Sequence, residues 1–262
     1  MKKKDYWAER MANTQARLTN KNIKQIEKQL RKYYNSASKS VIADFEATYD
    51  KIQATKEEGR EPTPADLYNL DRYWQAQRQL KNELQKLGDR QIKKMTEIFR
   101  VQFFDIYYSI ALQGQKAFNT INAEGAQELI NAIWCVDGKS FSDRVWENTK
   151  QLAETLNEGL IDCLITGKKT TQLKNELQDR FSVSYSRADA VVRTEMSHIQ
   201  NTAAQQRYKD YGVKKYEVWA DYDERRCDTC GKLHQTTFSI FEKSPVPVHP
   251  RCRCSIIPVV ED

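Results

Sequence analysis

Four of the six cysteines stand in two tight pairs, Cys227-Asp228-Thr229-Cys230 and Cys252-Arg253-Cys254, and His249 lies three residues ahead of the second pair. The string reads CxxC, eighteen residues, then HxxCxC. A CxxC turn points both sulfurs to one side, so its thiolates can bind a single tetrahedral ion. A second pair from a distant segment completes the four ligands of a structural zinc. There are more donors than places. Cys227 and Cys230 make one half, and two of His249, Cys252 and Cys254 make the other. His234, four residues beyond Cys230, is a further candidate. The competing chemistry is a disulfide from Cys227 or Cys230 to Cys252 or Cys254, which a reducing cytosol opposes. Cys135 and Cys163 stand alone in segments read as helical, where buried, unreactive thiols are expected.

A hydrolytic metal keeps an open coordination position and a general base beside it. No His-x-Glu occurs in the chain, Arg226 rather than a proline precedes Cys227, and there is no HExxH. The expected site is therefore closed and structural, with no catalytic residue, and the chain reads as an interaction protein rather than an enzyme. Arg193-Thr194-Glu195, followed by His198, falls in a helical segment. Arg193 and Glu195 are two apart and so leave the helix on different faces. An ion-pair network with separate partners is expected of them, and Arg/Glu catalysis is the alternative. Asp221, Asp223 and Glu224 beside Arg225 and Arg226 read as a charged turn or a cation site.

Composition bounds the elements that hold these groups. The chain has 262 residues, 39% hydrophobic and 30% charged, and a mean hydropathy of −0.79. No apolar run approaches the ~18 residues of a membrane span. The basic start lacks the apolar stretch of a signal peptide, so synthesis in the cytosol is expected. The net charge of +6 is concentrated at the front: residues 1–60 hold fourteen Lys/Arg against eight Asp/Glu, whereas residues 181–262 hold twelve against eleven. Lys2, Lys3, Lys4, Arg10 and Arg17, continued by Lys21 and Lys24 and flanked by Tyr6 and Trp7, form a candidate nucleic-acid arm. A solvated helix face is the plainer reading.

Four of the six prolines fall between Pro245 and Pro258, and residues 65–244 contain none, which favours helices. Apolar residues recur three or four apart from Ile23 to Tyr49, from Leu67 to Leu87 and from Ile92 to Ile110. Gly59 and Glu61-Pro62-Thr63-Pro64 break the chain, with Thr63 as an N-cap, and Gly88 reads as a helix stop. A short helix is expected near 127–133 and another from Phe141 to Gly167. A short helix then opens at Thr171, and a separate one ends at Gly212. Beyond Gly212, residues 216–220 and 254–260 read as strands. The fold class is mainly α with a small C-terminal α+β module. The chain divides into a helical N-terminal domain, 1–168, and a C-terminal domain, 169–262, stapled by metal because so small a β-rich piece has little core of its own.

The C-terminal third resembles the phage head-morphogenesis or minor head proteins, the Mu F-like family. The likeness is carried by an ordered set of motifs. It runs from Arg187-Ala188 through Arg193-Thr194-Glu195, Asn201, Ala204 and Tyr211-Gly212 to Trp219. It then takes in Asp223-Glu224-Arg225-Arg226-Cys227-Asp228-Thr229-Cys230-Gly231 and closes on Pro247-Val248-His249-Pro250-Arg251-Cys252-Arg253-Cys254. It covers roughly residues 170–262. Val248 stands where members often have a proline. The resemblance implies a minor head protein of a tailed bacteriophage, located in the virion head near the portal. Its expected partners are the portal, the major capsid or scaffold proteins, and packaged DNA, with Cys227, Cys230, His249, Cys252 and Cys254 at the metal-like positions. Some members carry an added C-terminal toxin or enzyme domain; this chain ends eight residues after Cys254, so none is expected here. A nucleic-acid-binding module and a metal-dependent hydrolase are the alternative readings.

Overall fold

The computed structural model describes residues 3–54, 71–110, 120–166, 169–220 and 226–259. The break at Gly59 and Thr63-Pro64, the terminator Gly167, the cluster Asp221, Asp223, Glu224 and Arg225, and Lys2 all lie outside the described residues. Among the described residues the order is α1 (Lys3–Ala54), α2 (Asp71–Ser109), α3 (Ala123–Asn131), α4 (Phe141–Thr166), α5 (Thr170–Asp210), β1 (Lys215–Trp219), α6 (Asp228–Leu233), β2 (Thr237–Ser239) and β3 (Ser255–Val259). The mainly α class with a small C-terminal sheet is what the periodicity indicated. None of these helices is long and apolar enough to cross a membrane.

Two helix boundaries drawn from sequence are corrected. Gly88 does not end a helix, because α2 runs through it. A Cβ at Gly88 would sit 2.4 Å from Cζ3 of the Trp146 ring, so the glycine is a slot for an indole. The two helices expected between Thr171 and Gly212 are one, α5. Phe181, Ser184, Ala188 and Val192 stay buried at three- and four-residue intervals across the supposed break, and no Gly or Pro interrupts that stretch. Gly212 does stop α5. At φ +72° it carries a Schellman closure, Gly212 N–H to the Lys209 carbonyl at 2.9 Å and Val213 N–H to Tyr208 at 3.0 Å. The short helix begins earlier than expected, because the Asn122 side chain caps it by accepting from Gly125 N–H at 2.8 Å.

The chain forms two compact units, Met1–Glu27 with Lys94–Phe141 and Ala190–Asp262, and Lys28–Lys93 with Ser142–Asp189. The second unit is helical, and its apolar cluster draws one stripe from each of four helices. These are Val41, Phe45 and Tyr49 of α1, Leu80, Leu84 and Leu87 of α2, Leu152, Leu156 and Leu160 of α4, and Leu173, Leu177 and Phe181 of α5. Within it the buried Tyr34 hydroxyl accepts from Asn148 at 3.0 Å, and Asn148 also donates to the Ser184 carbonyl at 2.9 Å.

The first unit holds the sheet. Its strand order is β2-β1-β3, antiparallel throughout, with Tyr216 opposite Phe238 and Val218 opposite Ile256. Pro258 is tolerated because β3 is an edge strand. Strand β2 was not anticipated. Three residues make a strand here only because the flanking turn carries the chain back beside β1. Gln235 N–H donates to the Val218 carbonyl at 2.7 Å, and Ile240 N–H to Lys214 at 2.9 Å.

Candidate metal centre

Both donor pairs are made by turns that their own backbones close. Cys227 caps α6: its sulfur accepts from Cys230 N–H at 3.4 Å, and its carbonyl from Gly231 N–H at 2.9 Å. The second turn brings Cys252 N–H to the His249 carbonyl at 3.1 Å, with Arg251 between them at φ +62°. Two turns from segments some twenty residues apart then converge. Donor atoms of Cys227, Cys230 and His249 lie within 4.8 Å of one another, and so do those of Cys230, Cys252 and Cys254. Cys230, in both triads, is 3.3 Å from His249 Nε2 and 3.8 Å from the Cys252 sulfur. Two sulfurs bound at ~2.3 Å to one tetrahedral ion are separated by about 3.8 Å. The donors therefore fit a metal ion in type and in spacing.

Protonation in the cluster follows the same geometry. The Pro250 carbonyl can only accept, so the 2.8 Å contact with His249 Nδ1 assigns the ring proton there and leaves Nε2 with a lone pair facing the sulfurs. That carbonyl also raises the His249 pKa. The Cys252 thiol is lowered to about 5, chiefly because Cys254 donates to it, while burial opposes the shift. Cys254 is correspondingly raised, and burial pushes Cys230 up to about 12. The Cys230 N–H lowers Cys227. A bound cation would displace the protons that the buried thiols otherwise retain.

His234, the further candidate, points elsewhere. Its Nδ1 accepts from Ala220 N–H at 3.2 Å, and its ring meets Trp219 edge-on at 4.9 Å. Cys163 is buried in α4, whereas Cys135 lies half-buried in the turn after α3 rather than in a helix. Ala132 leaves helical geometry at ψ 131° and ends α3 before Cys135 is reached.

One face of α5 holds the donor-bearing segment by its backbone. Thr194 Oγ1 accepts from Arg251 N–H at 3.0 Å, inside the His249–Cys252 turn. Asn201 donates to the Cys254 carbonyl and accepts from Ile256 N–H, both at 3.0 Å. Gln205 donates to the Ile240 and Glu242 carbonyls, each at 2.7 Å, and the Tyr208 hydroxyl donates to Ile256 at 3.0 Å. Residues 194, 201, 205 and 208 share a helix face. Sequence reading missed this rack, because a polar stripe on a helix ordinarily faces water. Its signal is that Ser197, Gln200, Asn201 and Gln205 are interspersed with Met196, Ile199, Ala203 and Ala204, so polar and apolar residues do not separate into a wet and a dry face.

The neighbours of Thr194 do point apart. Arg193 donates to the carboxylate of Glu27 on α1. Glu195, buried, accepts from Trp134 Nε1 at 2.9 Å. The Trp134 ring stacks on His198 at 4.3 Å, and Lys243 donates to the Trp134 carbonyl at 2.7 Å. Burial, and then Lys243, lowers the His198 pKa to about 3.

The basic arm is the start of α1. Tyr6, Arg10, Asn13, Arg17, Lys21 and Lys24 are exposed and follow one another three or four apart. Lys3 and Lys4 begin the helix.

Residues 154–257 match the family described as phage Mu protein F like protein. Among curated proteins the chain is similar to NAD(+)--arginine ADP-ribosyltransferase EFV of Enterococcus faecalis (strain ATCC 700802 / V583), at 25% identity over 179 residues. That stretch is 61% of this chain and 36% of the relative, so the chain spans about a third of the relative's length. No solved structure matches the chain.

Proposed function

We propose, for a chain whose residues 154–257 belong to the phage Mu protein F-like family, the role of a minor head protein of a tailed bacteriophage. It sits inside the head near the portal and assists head assembly or DNA delivery. Its partners are the portal and the major capsid or scaffold proteins. Residues 169–262 are the attachment domain, and 1–168 supply a reach or docking element. The observation that carries this reading is the motif set from Arg193-Thr194-Glu195 to Cys254. Within that set, Thr194 hydrogen-bonds Arg251 and Asn201 hydrogen-bonds the Cys254 carbonyl, so motifs more than fifty residues apart meet in space.

A zinc ion staples that assembly through donors from the two turns, as a structural centre without a catalytic step. Among the described residues no carboxylate joins the donor groups, and Glu195 is engaged by Trp134. ADP-ribosyl transfer is an activity of the named relative and is not assigned to this chain.

Quantitative mass spectrometry of purified phage particles tests the proposal. A few copies per particle are expected. Peptides found only in assembly intermediates would make the protein a factor that leaves the head, and absence from both would overturn the reading.

A second reading, DNA binding, is favoured by the face of α1. Four cations, Arg10, Arg17, Lys21 and Lys24, follow one line with Tyr6 and Asn13, beside a groove of about 400 Å³ lined by Tyr6, Glu9, Arg10, Asn13, Thr14 and Arg17. Four phosphate contacts give a slope of about −3 to −4 in log affinity against log salt. Replacing the four cations with alanine should remove that slope. A slope left unchanged by the substitutions would place DNA elsewhere or nowhere.

A further inference from the structure

Five donors converge where a tetrahedral ion takes four. We propose that the ion is held by Cys227, Cys230, His249 and Cys252, and that Cys254 remains outside the coordination shell as a thiol packed against it. The inference rests on the metal reading above.

The first argument is spacing. Cys230 lies 3.8 Å from the Cys252 sulfur and 3.3 Å from His249 Nε2. An edge between two bound sulfurs is about 3.8 Å, and one between sulfur and nitrogen is about 3.6 Å. Cys227 adds the fourth corner, because its sulfur belongs to the triad with Cys230 and His249. Cys254 shares the second triad with Cys230 and Cys252, and what separates it from Cys252 is the turn in which each sits.

The second argument is how each donor is aimed. Cys227 with Cys230, and His249 with Cys252, are each three residues apart and each closed by a hydrogen bond between the members of the pair. His249 is oriented from behind by the Pro250 carbonyl. Such an outer contact sets the tautomer and direction of a ligating imidazole, and it serves no evident purpose for a histidine outside the shell. Cys254 is fixed instead by its main chain, whose carbonyl Asn201 holds at the entry to β3.

The third argument is charge. Three thiolates and a neutral imidazole around a divalent cation leave one net negative charge, and four thiolates leave two. Cys230, Cys252 and Cys254 are buried, so the second charge would be desolvated at substantial cost. A shell that takes the His249 imidazole in place of a fourth thiolate avoids it.

Cobalt(II) titrated into the metal-free full-length chain tests the assignment, since sulfur-to-cobalt charge-transfer intensity counts Co–S bonds. Cys254→Ser should leave that intensity unchanged, and Cys252→Ser should lower it by about one third. His249→Ala should keep the intensity and shift the d–d bands. Loss of about one quarter in Cys254→Ser, with d–d bands indifferent to His249→Ala, would assign four sulfurs and overturn the proposal. If Cys254→Ser does not fold, the same count follows from the intensity per bound cobalt in the unaltered chain: three bonds uphold the proposal and four overturn it. Absence of any cobalt band in the unaltered chain would overturn the metal reading itself, a different failure from a wrong choice of donor.

Discussion

Asn201 does with one amide what a neighbouring strand would otherwise do. It donates a hydrogen bond to the Cys254 carbonyl and accepts one from Ile256 N–H, holding the last donor-bearing residues against α5. Fully buried, it cannot be replaced by water. Asn201→Ala should cost about 3 kcal/mol, because two buried backbone groups lose their partners; chemical denaturation measures it. His198 should give the same unit a pH dependence. Burial and Lys243 hold its pKa at about 3 in the folded chain, against 6.5 for an ordinary histidine. The unfolded state therefore binds the extra proton between those limits, and stability is lost as pH falls through that window. Lys243 opposes the imidazolium, and the buried Glu195 lies on the other side of Trp134. His198→Phe should keep the stack on Trp134 and flatten the midpoint-against-pH curve between pH 6 and 4. An unchanged slope would assign the acid sensitivity to other groups.

At the scale of elements, α2 shows how a local signal is overruled by a neighbour. Glycine costs a helix interior about 1 kcal/mol relative to alanine, so Gly88→Ala ought to stabilise α2 on propensity alone. The Trp146 ring 2.4 Å from the new methyl reverses that sign, since overpacking of this kind costs about 1–3 kcal/mol. Gly88→Ala should lower the melting temperature, and Trp146→Leu should turn the same change into a gain. A stabilising Gly88→Ala in the unaltered background would show that the indole moves aside freely. Helix α5 makes the converse point. Two helices were expected between Thr171 and Gly212, yet the buried stripe continues through Ser184 and the helix with it.

At the scale of the whole molecule, metal should govern one region and leave another alone. Cys227→Ser, or removal of metal by a chelator, should expose residues 213–262 to protease while the cluster of α1, α2, α4 and α5 keeps its helicity. The physical basis is the unequal supply of core. That cluster draws apolar stripes from four helices, whereas the described residues between β1 and β3 bury little besides Ala220, Cys230, Ile240, Val246, Cys252 and Cys254. Limited proteolysis with circular dichroism checks both halves. Equal protease resistance with and without metal would make the rack on α5, not the ion, the main support.

The sequence by itself determined what is settled within a turn or two of chain. The knuckle at Cys227 and Cys230, the helical periods, the stop at Gly212 and the opposed directions of Arg193 and Glu195 all follow from spacing and local backbone geometry. Only the tertiary structure decided what depends on residues distant along the chain: which donors approach Cys230, that His234 turns to β1, that Gly88 makes room for Trp146, and that Thr194 and Asn201 face a loop rather than water. Residue spacing fixes direction along an element, whereas the identity of a partner fifty or a hundred residues away is set by packing.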